Sequence, residues 1–280
     1  MPLSSRNASL SPTTVPQRGT QASPIAETRL ALPRAIAHRG LSAHAPENTL
    51  AAVRAAHAAG CRWVELDVQQ LGDGTPVIWH DAGVRRCSNG RGKLRHLDLA
   101  QAQQLDVGSW FSPAFRHERM ATLDEMLALL VECGMGLNLE LKISYRHDPT
   151  ALAQVVVPRL LAALPPSRLL VSSFDRDALR TARDIERDPH RLRLGLLYDR
   201  LPKGWRADAE TLMAFSAHLD WRKLKPAAAS AVRDAGLHLL CYTVNDPAMF
   251  LPRWDWGVEA VISDDPPCFT DASSVPLPSR

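Results

Sequence analysis

The chain lacks the marks of several protein classes. None of its 280 residues fall in a stretch approaching the ~20 apolar residues that a bilayer-spanning helix requires, and the N-terminus has no short apolar core of a secretory leader. Cysteines are few, odd in number and scattered (Cys61, Cys87, Cys133, Cys241, Cys268), with no C-x-x-C spacing, which argues against a disulfide framework and a thiolate metal cluster. A reducing compartment, the cytoplasm, is therefore expected. Net charge is only +3 and no basic run is present, so no nucleic-acid partner is expected. No internal repeat is visible, and no integral membrane segment is expected.

What is present is an ordinary globular composition, 45% hydrophobic and 22% charged, enough to bury a large core. Residues 1–33, rich in Ser, Thr, Pro, Gln and Arg, read as a disordered arm, and 268–280 as a tail. Between them, over 34–267, short apolar or β-branched runs alternate with amphipathic ones, the pattern of a parallel sheet covered by helices. Strands are expected at Ala35–Arg39, Trp63–Val68, Pro76–His80, Leu137–Lys142, Leu169–Phe174, Leu194–Tyr198, Ala217–Trp221, Leu239–Val244 and Ala260–Ser263. That is one too many for a TIM-type (β/α)8 barrel.

The surplus strand identifies itself. Only Gln69–Thr75 separate the second run from the third, too few residues for a parallel crossover, so Pro76–His80 must return antiparallel through a turn at Gly72-Asp73-Gly74. The architecture read from the sequence is thus an α/β TIM-type barrel with a hairpin extension after strand 2 and an irregular insertion, about 82–121, capping its mouth. Helices are expected at 49–59, 123–133, 151–164, 177–186, 208–215, 226–235 and 247–254, with Asn48 capping the first and Thr122 with Glu125 the second.

Four short motifs stand at strand ends: His38-Arg39-Gly40, Glu65-Leu66-Asp67, His80-Asp81 and Glu140-Leu141-Lys142. Catalytic groups of barrels come from the C-terminal ends of strands. Residues i and i+2 share a face, which pairs Glu65 with Asp67 and Glu140 with Lys142. Three carboxylates make a hard oxygen site suited to Mg²⁺ or Ca²⁺, although strand-end ion pairs would use the same acids. Arg39 offers a planar fork for two phosphate oxygens and Lys142 a point charge. The hairpin carries His80 back beside Asp67, so His38 and His80 can share general acid and base duties.

These motifs, AHRG (37–40), PENTLAAVRAA (46–56), VELDVQQLGDGTPVIWHD (64–81), DVGSWF (106–111) and LNLELK (137–142), followed by VSSFD, GLLYD, CYTVND and AVISDDP, resemble in order and spacing the glycerophosphodiester phosphodiesterases, and the later ones their bacterial cytoplasmic branch. The resemblance implies a hydrolase releasing sn-glycerol 3-phosphate and an alcohol from a small-molecule glycerophosphodiester such as glycerophosphocholine or glycerophosphoethanolamine. It implies Glu65, Asp67 and Glu140 as ligands of one divalent cation, Mg or Ca. It makes His38 and His80 the acid/base pair, and Arg39 and Lys142 the phosphate contacts.

Two departures bear on the substrate. Tyr242 stands where many relatives have Trp, followed by Thr243 and Asn245, and His218-Leu219-Asp220-Trp221 departs from the usual polar pattern; both segments are expected where a head group lies. Trp110 is a further pocket candidate, with local packing as its plain alternative. Competing functions are a phospholipase of the same barrel superfamily acting on intact lipid, a non-catalytic phosphodiester-binding barrel, and a two-carboxylate glycosidase. The polar insertion disfavours the first and the paired histidines the second. The third leaves Arg39, Lys142 and one acid without a role.

Overall fold

Strict in-out alternation along short strands shapes this chain into a barrel. The computed structural model describes residues 30–144 and 148–269. Among them the strands are β1 (Ala35–His38), β2 (Trp63–Gln70), β3 (Pro76–Ile78), β4 (Gly136–Leu141), β5 (Leu169–Ser173), β6 (Arg193–Tyr198), β7 (Ser216–Asp220), β8 (His238–Tyr242) and β9 (Ala260–Ser263). The α-helices are α1 (Leu50–Ala58), α2 (Leu99–Gln103), α3 (Leu123–Cys133), α4 (Pro149–Ala163), α5 (Arg176–Ile185), α6 (Trp205–Leu212), α7 (Pro226–Asp234) and α8 (Pro247–Trp254).

Eight parallel strands close the barrel. The order β2-β4-β5-β6-β7-β8-β9-β1 returns to β2, with Ala37 opposite Val64 and Ile36 opposite Ile262 at the closing seams. The ninth strand, β3, runs antiparallel to β2 in the register Val68↔Ile78 and Gln69↔Val77, the hairpin that the short connection requires. Asp73 fixes the turn, its carboxylate accepting from the Thr75 and Leu99 N–H groups. Past β3, the Trp79 N–H bonds to the Asp67 carbonyl at 2.9 Å and so delivers His80 to the barrel mouth.

Outward side chains such as Val64, Leu66, Leu137, Leu139, Val171 and Leu219 join the helices in one apolar layer, each fully buried leucine contributing about 1.5–3 kcal/mol. Inward side chains fill the lumen. Its floor is apolar, built by Leu30, Ile36, Trp63, Leu170, Leu240, Ala260 and Ile262. The Trp63 ring lies across Gly136, its partner on β4, where a Cβ would stand 2.2 Å from the indole. Of the arm expected over 1–33, residues 1–29 lie outside the described residues, and Leu30 packs into this floor. Of the expected tail, 270–280 lie outside them, while Phe269 packs on the main core.

The insertion, 82–121, has a small core of its own, in which Trp79, Val84, Leu94, Val107 and Met120 meet. Several expectations need correction. Thr49, not Asn48, caps α1, its hydroxyl accepting from Ala52 N–H, because the Asn48 amide is engaged elsewhere. Helix α6 begins at Trp205 and stops at Leu212, since Phe215 is drawn down to stack on His238. His218, in the segment expected near a head group, is not exposed at the mouth. Two residues short of the end of β7, it is wholly buried in the lumen with Nε2 2.9 Å from Ser216 Oγ. No helix of the described residues is long and apolar enough to cross a membrane.

Two outcomes follow from this packing. Gly136→Ala must displace the Trp63 ring, so the urea midpoint should fall by an amount equal to about 1–3 kcal/mol; an unchanged midpoint would refute the close contact. Burial pushes the His218 pKa down from 6.5 to about 3. The imidazole is neutral in both states above pH 6.5, and between there and about 3 only the unfolded chain takes the proton, so stability is lost as pH falls. Replacing His218 by Gln should make the stability profile between pH 6 and 4 shallower by about 1.4 kcal/mol per pH unit. Equal slopes in urea titrations of the two proteins would contradict it.

Candidate active site

The mouth of the barrel begins with a strained turn. Arg39 and Gly40, immediately after β1, both adopt positive φ (55° and 82°), and Asn48 does so as well at 58°. A Cβ at residue 40 would meet the Ala52 backbone at 2.6 Å, so glycine is required there. Non-glycine residues in this region cost of order 1–3 kcal/mol each, and such strain collects where a site demands it. Here it turns Arg39 back over the barrel, with its N–H on the Glu65 carbonyl at 2.7 Å.

Strands β2 and β4 supply the acids. Glu65, Asp67 and Glu140 are all buried, and one oxygen of each lies within 4.8 Å of the others. Lys142 Nζ bonds to Glu140 at 2.8 Å and lies 3.1 Å from Asp67. Arg39 donates to Glu47 at 2.7 Å, and its Nε lies 3.3 Å from Asp67 without hydrogen-bond alignment. The Asn48 amide donates to Asp67 at 2.8 Å and accepts from its N–H, holding that carboxylate from the other side.

The electrostatics follow from crowding. Burial, then Asp67 and Glu140, push Glu65 well above the carboxylate range, and burial with Asp67 pushes Glu140 up to about 7. For Asp67 burial acts in the same sense, but Lys142, Arg39 and His80 outweigh it and hold the group below its ordinary value. Burial lowers the His80 pKa, as do Lys142 and Arg39, with Asp67 opposing.

Each histidine is anchored by a carboxylate at Nδ1. His38 Nδ1 is 2.6 Å from Asp264, and His80 Nδ1 is 2.7 Å from Asp81. An ionised carboxylate only accepts, so both rings carry their proton on Nδ1 and present Nε2. His38 Nε2 stands 3.9 Å from Glu65. Asp264 is held by Asn245 Nδ2 at 2.6 Å and Ser42 Oγ at 3.0 Å, whereas Asp81 is gripped by Arg86, whose fork also grips Glu47. Burial works against both acids, but these partners bring each down to about 2.

Fully ionised, the five carboxylates Glu47, Glu65, Asp67, Asp81 and Glu140 would exceed the three permanent cations of this array (Arg39, Arg86, Lys142) by two negative charges, the excess that, with burial, pushes Glu65 and Glu140 toward their protonated forms. One hard divalent cation matches that excess in charge and the triad in donor type, so the residues fit the metal that the sequence suggests.

All seven core residues read from the sequence meet at this mouth. The three pocket candidates fare differently. Asn245 clamps Asp264, and Tyr242 bonds through its hydroxyl to the Tyr198 carbonyl and lies edge-on to Phe174. Trp110 gives its indole N–H to Val107 and packs on Phe111, and none of its described contacts reaches the cluster. Sequence reading gave no site role to Glu47, Asn48, Arg86 and Asp264, and named Asp81 only as part of the His80-Asp81 motif. Beside His38 and Arg39 opens a cleft of about 480 Å³ that Ser42, Glu47, Asn245, Asp264 and Asp265 also line.

A parallel barrel with buried acids, two anchored imidazoles and two cations at the C-terminal ends of its strands defines an enzyme that hydrolyses phosphoesters. Residues 38–267 match the Glycerophosphoryl diester phosphodiesterase family. A glycerophosphodiester phosphodiesterase of Caldanaerobacter subterraneus subsp. tengcongensis is 32% identical over 232 residues, covering 82% of this chain and 93% of the relative. A phosphodiesterase of Oleispira antarctica, solved with its product sn-glycerol-3-phosphate, is 35% identical and superposes with a TM-score of 0.82 over 87% of this chain and 98% of its own. The chain belongs to the glycerophosphoryl diester phosphodiesterase family and is a phosphoric diester hydrolase.

The double fork of Arg86 ties the insertion to the barrel. Arg86→Ala should speed amide exchange in residues 83–94 by roughly three- to tenfold, the scale of ~0.7–1.4 kcal/mol for a half-exposed bidentate pair. Unchanged exchange by mass spectrometry would mean that the apolar core alone holds the insertion down.

Proposed function

We propose that this enzyme hydrolyses small glycerophosphodiesters, glycerophosphocholine and glycerophosphoethanolamine among them, to sn-glycerol 3-phosphate and the free alcohol, with a divalent cation, Mg or Ca, and His38 and His80 as its acid/base pair. The observation that carries this reading is the buried triad Glu65, Asp67 and Glu140 flanked by Arg39 and Lys142, with both imidazoles fixed through Nδ1 at the same mouth. The product bound by the Oleispira protein supports release of glycerol 3-phosphate.

The three acids would hold the cation, which when bound supplies Lewis-acid polarisation of the phosphoryl oxygens. Arg39 and Lys142 bind and orient those oxygens and stabilise the charge that grows on them in the transition state. One imidazole Nε2 takes the proton of the nucleophile while the other, protonated, gives one to the leaving alkoxide; the nucleophile is water, or the glycerol 2-hydroxyl, in which case water then opens the cyclic phosphate to sn-glycerol 3-phosphate. The polar lining of the cleft suits a deacylated substrate better than a diacyl lipid, whose docking would call for an apolar rim.

Glycerol 3-phosphate release from a panel of glycerophosphodiesters and their diacyl parents tests this. Chelator should abolish turnover, and Glu140→Ala and His80→Ala should each lower kcat by roughly 10²–10⁴. Chelator-insensitive turnover would remove the cation from the reaction, unchanged kcat in His80→Ala would remove that histidine, and activity confined to diacyl lipids would favour the phospholipase.

A further inference from the structure

The carboxylate behind His38 is held more tightly than a strand-end ion pair requires. Asp264 follows β9, and Asn245 follows β8. The Asn245 side chain reads Asp264 twice, donating from Nδ2 to Oδ2 at 2.6 Å and accepting the Asp264 N–H on Oδ1 at 2.9 Å. Ser42 Oγ lies 3.0 Å from Asp264 Oδ1 and 2.8 Å from the His38 carbonyl, so its single proton is shared between the carboxylate and the backbone of the residue that the carboxylate orients. The loops after β1 and β8 converge on this one side chain, leaving Oδ1 directed at His38 Nδ1 at 2.6 Å. Such a partner sets both the tautomer and the angle of an imidazole.

We propose that Asp264, locked by Asn245 and Ser42, is the positioning residue of His38, keeping the His38 proton on Nδ1 and its Nε2 directed into the carboxylate cluster. The proposal rests on the acid/base reading of His38, and it gives Asn245 a role in the catalytic frame rather than in head-group contact. If Asp264 acts through His38, its removal changes turnover more than substrate binding and has no effect once the imidazole is gone.

The test is kcat and KM for glycerophosphocholine in wild type, His38→Ala, Asp264→Asn and the double variant. Asp264→Asn should lower kcat roughly 10- to 100-fold with KM within about threefold, and in the His38→Ala background should cost less than about twofold. Full kcat in Asp264→Asn, or an equal loss in both backgrounds, would overturn the positioning role while leaving His38 catalytic. Wild-type kcat in His38→Ala would overturn the reading of His38 and this proposal with it. Should Asp264→Asn not fold, Asn245→Ala gives the same readout: a smaller loss in kcat that vanishes beside His38→Ala, where persistence of the loss counts against the clamp.

A second, independent observation concerns the lumen below the triad. Asn138 Nδ2 and Oδ1, Ser172 Oγ and His218 Nδ1 are buried and have no partner among the described residues. Asn138 is in register with Glu65, and Ser172 with Glu140 on one side and Gly195 on the other. The His218 ring lies over Gly195. The polar atoms therefore run from the triad across the lumen, where the His218 ring fills the space over Gly195 and bonds Ser216. Buried donors and acceptors left without protein partners are the groups that internal water satisfies. We infer that the lumen beneath Glu65 and Glu140 is an internal hydration site whose ligand is a short chain of water molecules. Magnetic relaxation dispersion of water deuterons on the whole protein should count at least one long-lived water fewer in Asn138→Leu than in wild type, with Ser172→Ala as the milder variant. Equal counts, or a high-resolution crystal structure in which Asn138 bonds directly to Ser172 or His218, would overturn it.

Discussion

Three carboxyl groups placed within 4.8 Å of one another in a buried barrel mouth repel strongly, and the rest of the site is organised around that repulsion. At low effective dielectric such acids cannot all stay ionised unless positive charge is brought to them. Lys142, two residues after Glu140 on the same face, answers part of it locally. Arg39 answers a further part only because the chain leaves β1 through two consecutive left-handed residues. Backbone strain at Arg39 and Gly40 is thus coupled to charge balance at Asp67, and neither makes physical sense without the other.

The same constraint explains why two further layers surround the cluster. Glu47 accepts from Arg39 and from Arg86, and Arg86 reaches Asp81, which anchors His80. Arg39 is thereby connected to the His80 imidazole through four links. The His38 side of the mouth is built differently, since its carboxylate is held by an amide and a hydroxyl and not by a guanidinium. The two histidines therefore sit in unequal fields although each bonds an acid through the same nitrogen.

How much of this was legible in the sequence depends on the range of the interaction. The period-2 rule placed Glu65 with Asp67 and Glu140 with Lys142, and the length of the Gln69–Thr75 connection was enough to turn the surplus strand into the hairpin that carries His80. Asp264 was out of reach, because it meets His38 across 226 residues and nothing local to AVISDDP announces the contact. Asn48 was misread as a helix cap, a role its neighbour Thr49 takes, since only the folded site reveals an amide facing Asp67. His218 was expected near a head group only because its segment departs from the pattern of the family that the chain resembles. Its parity does point it inward, but its depth along β7 puts it in the lumen.

The hairpin strand β3 contributes no wall to the barrel, and its outer edge is met by the returning end of the insertion, where Val77 bridges Thr122 and Ile78 N–H bonds to the Ala121 carbonyl. The excursion over 82–121 therefore leaves and rejoins the same strand, closing on itself before α3 begins. Since loop closure entropy grows only slowly with length, a segment tied off in this way can lengthen, shorten or change composition without disturbing the register of the eight strands beneath. Apart from Arg86, whose fork holds Asp81 and Glu47 from within this segment, variation in what covers the mouth is in this way uncoupled from the geometry of the acids and imidazoles it covers.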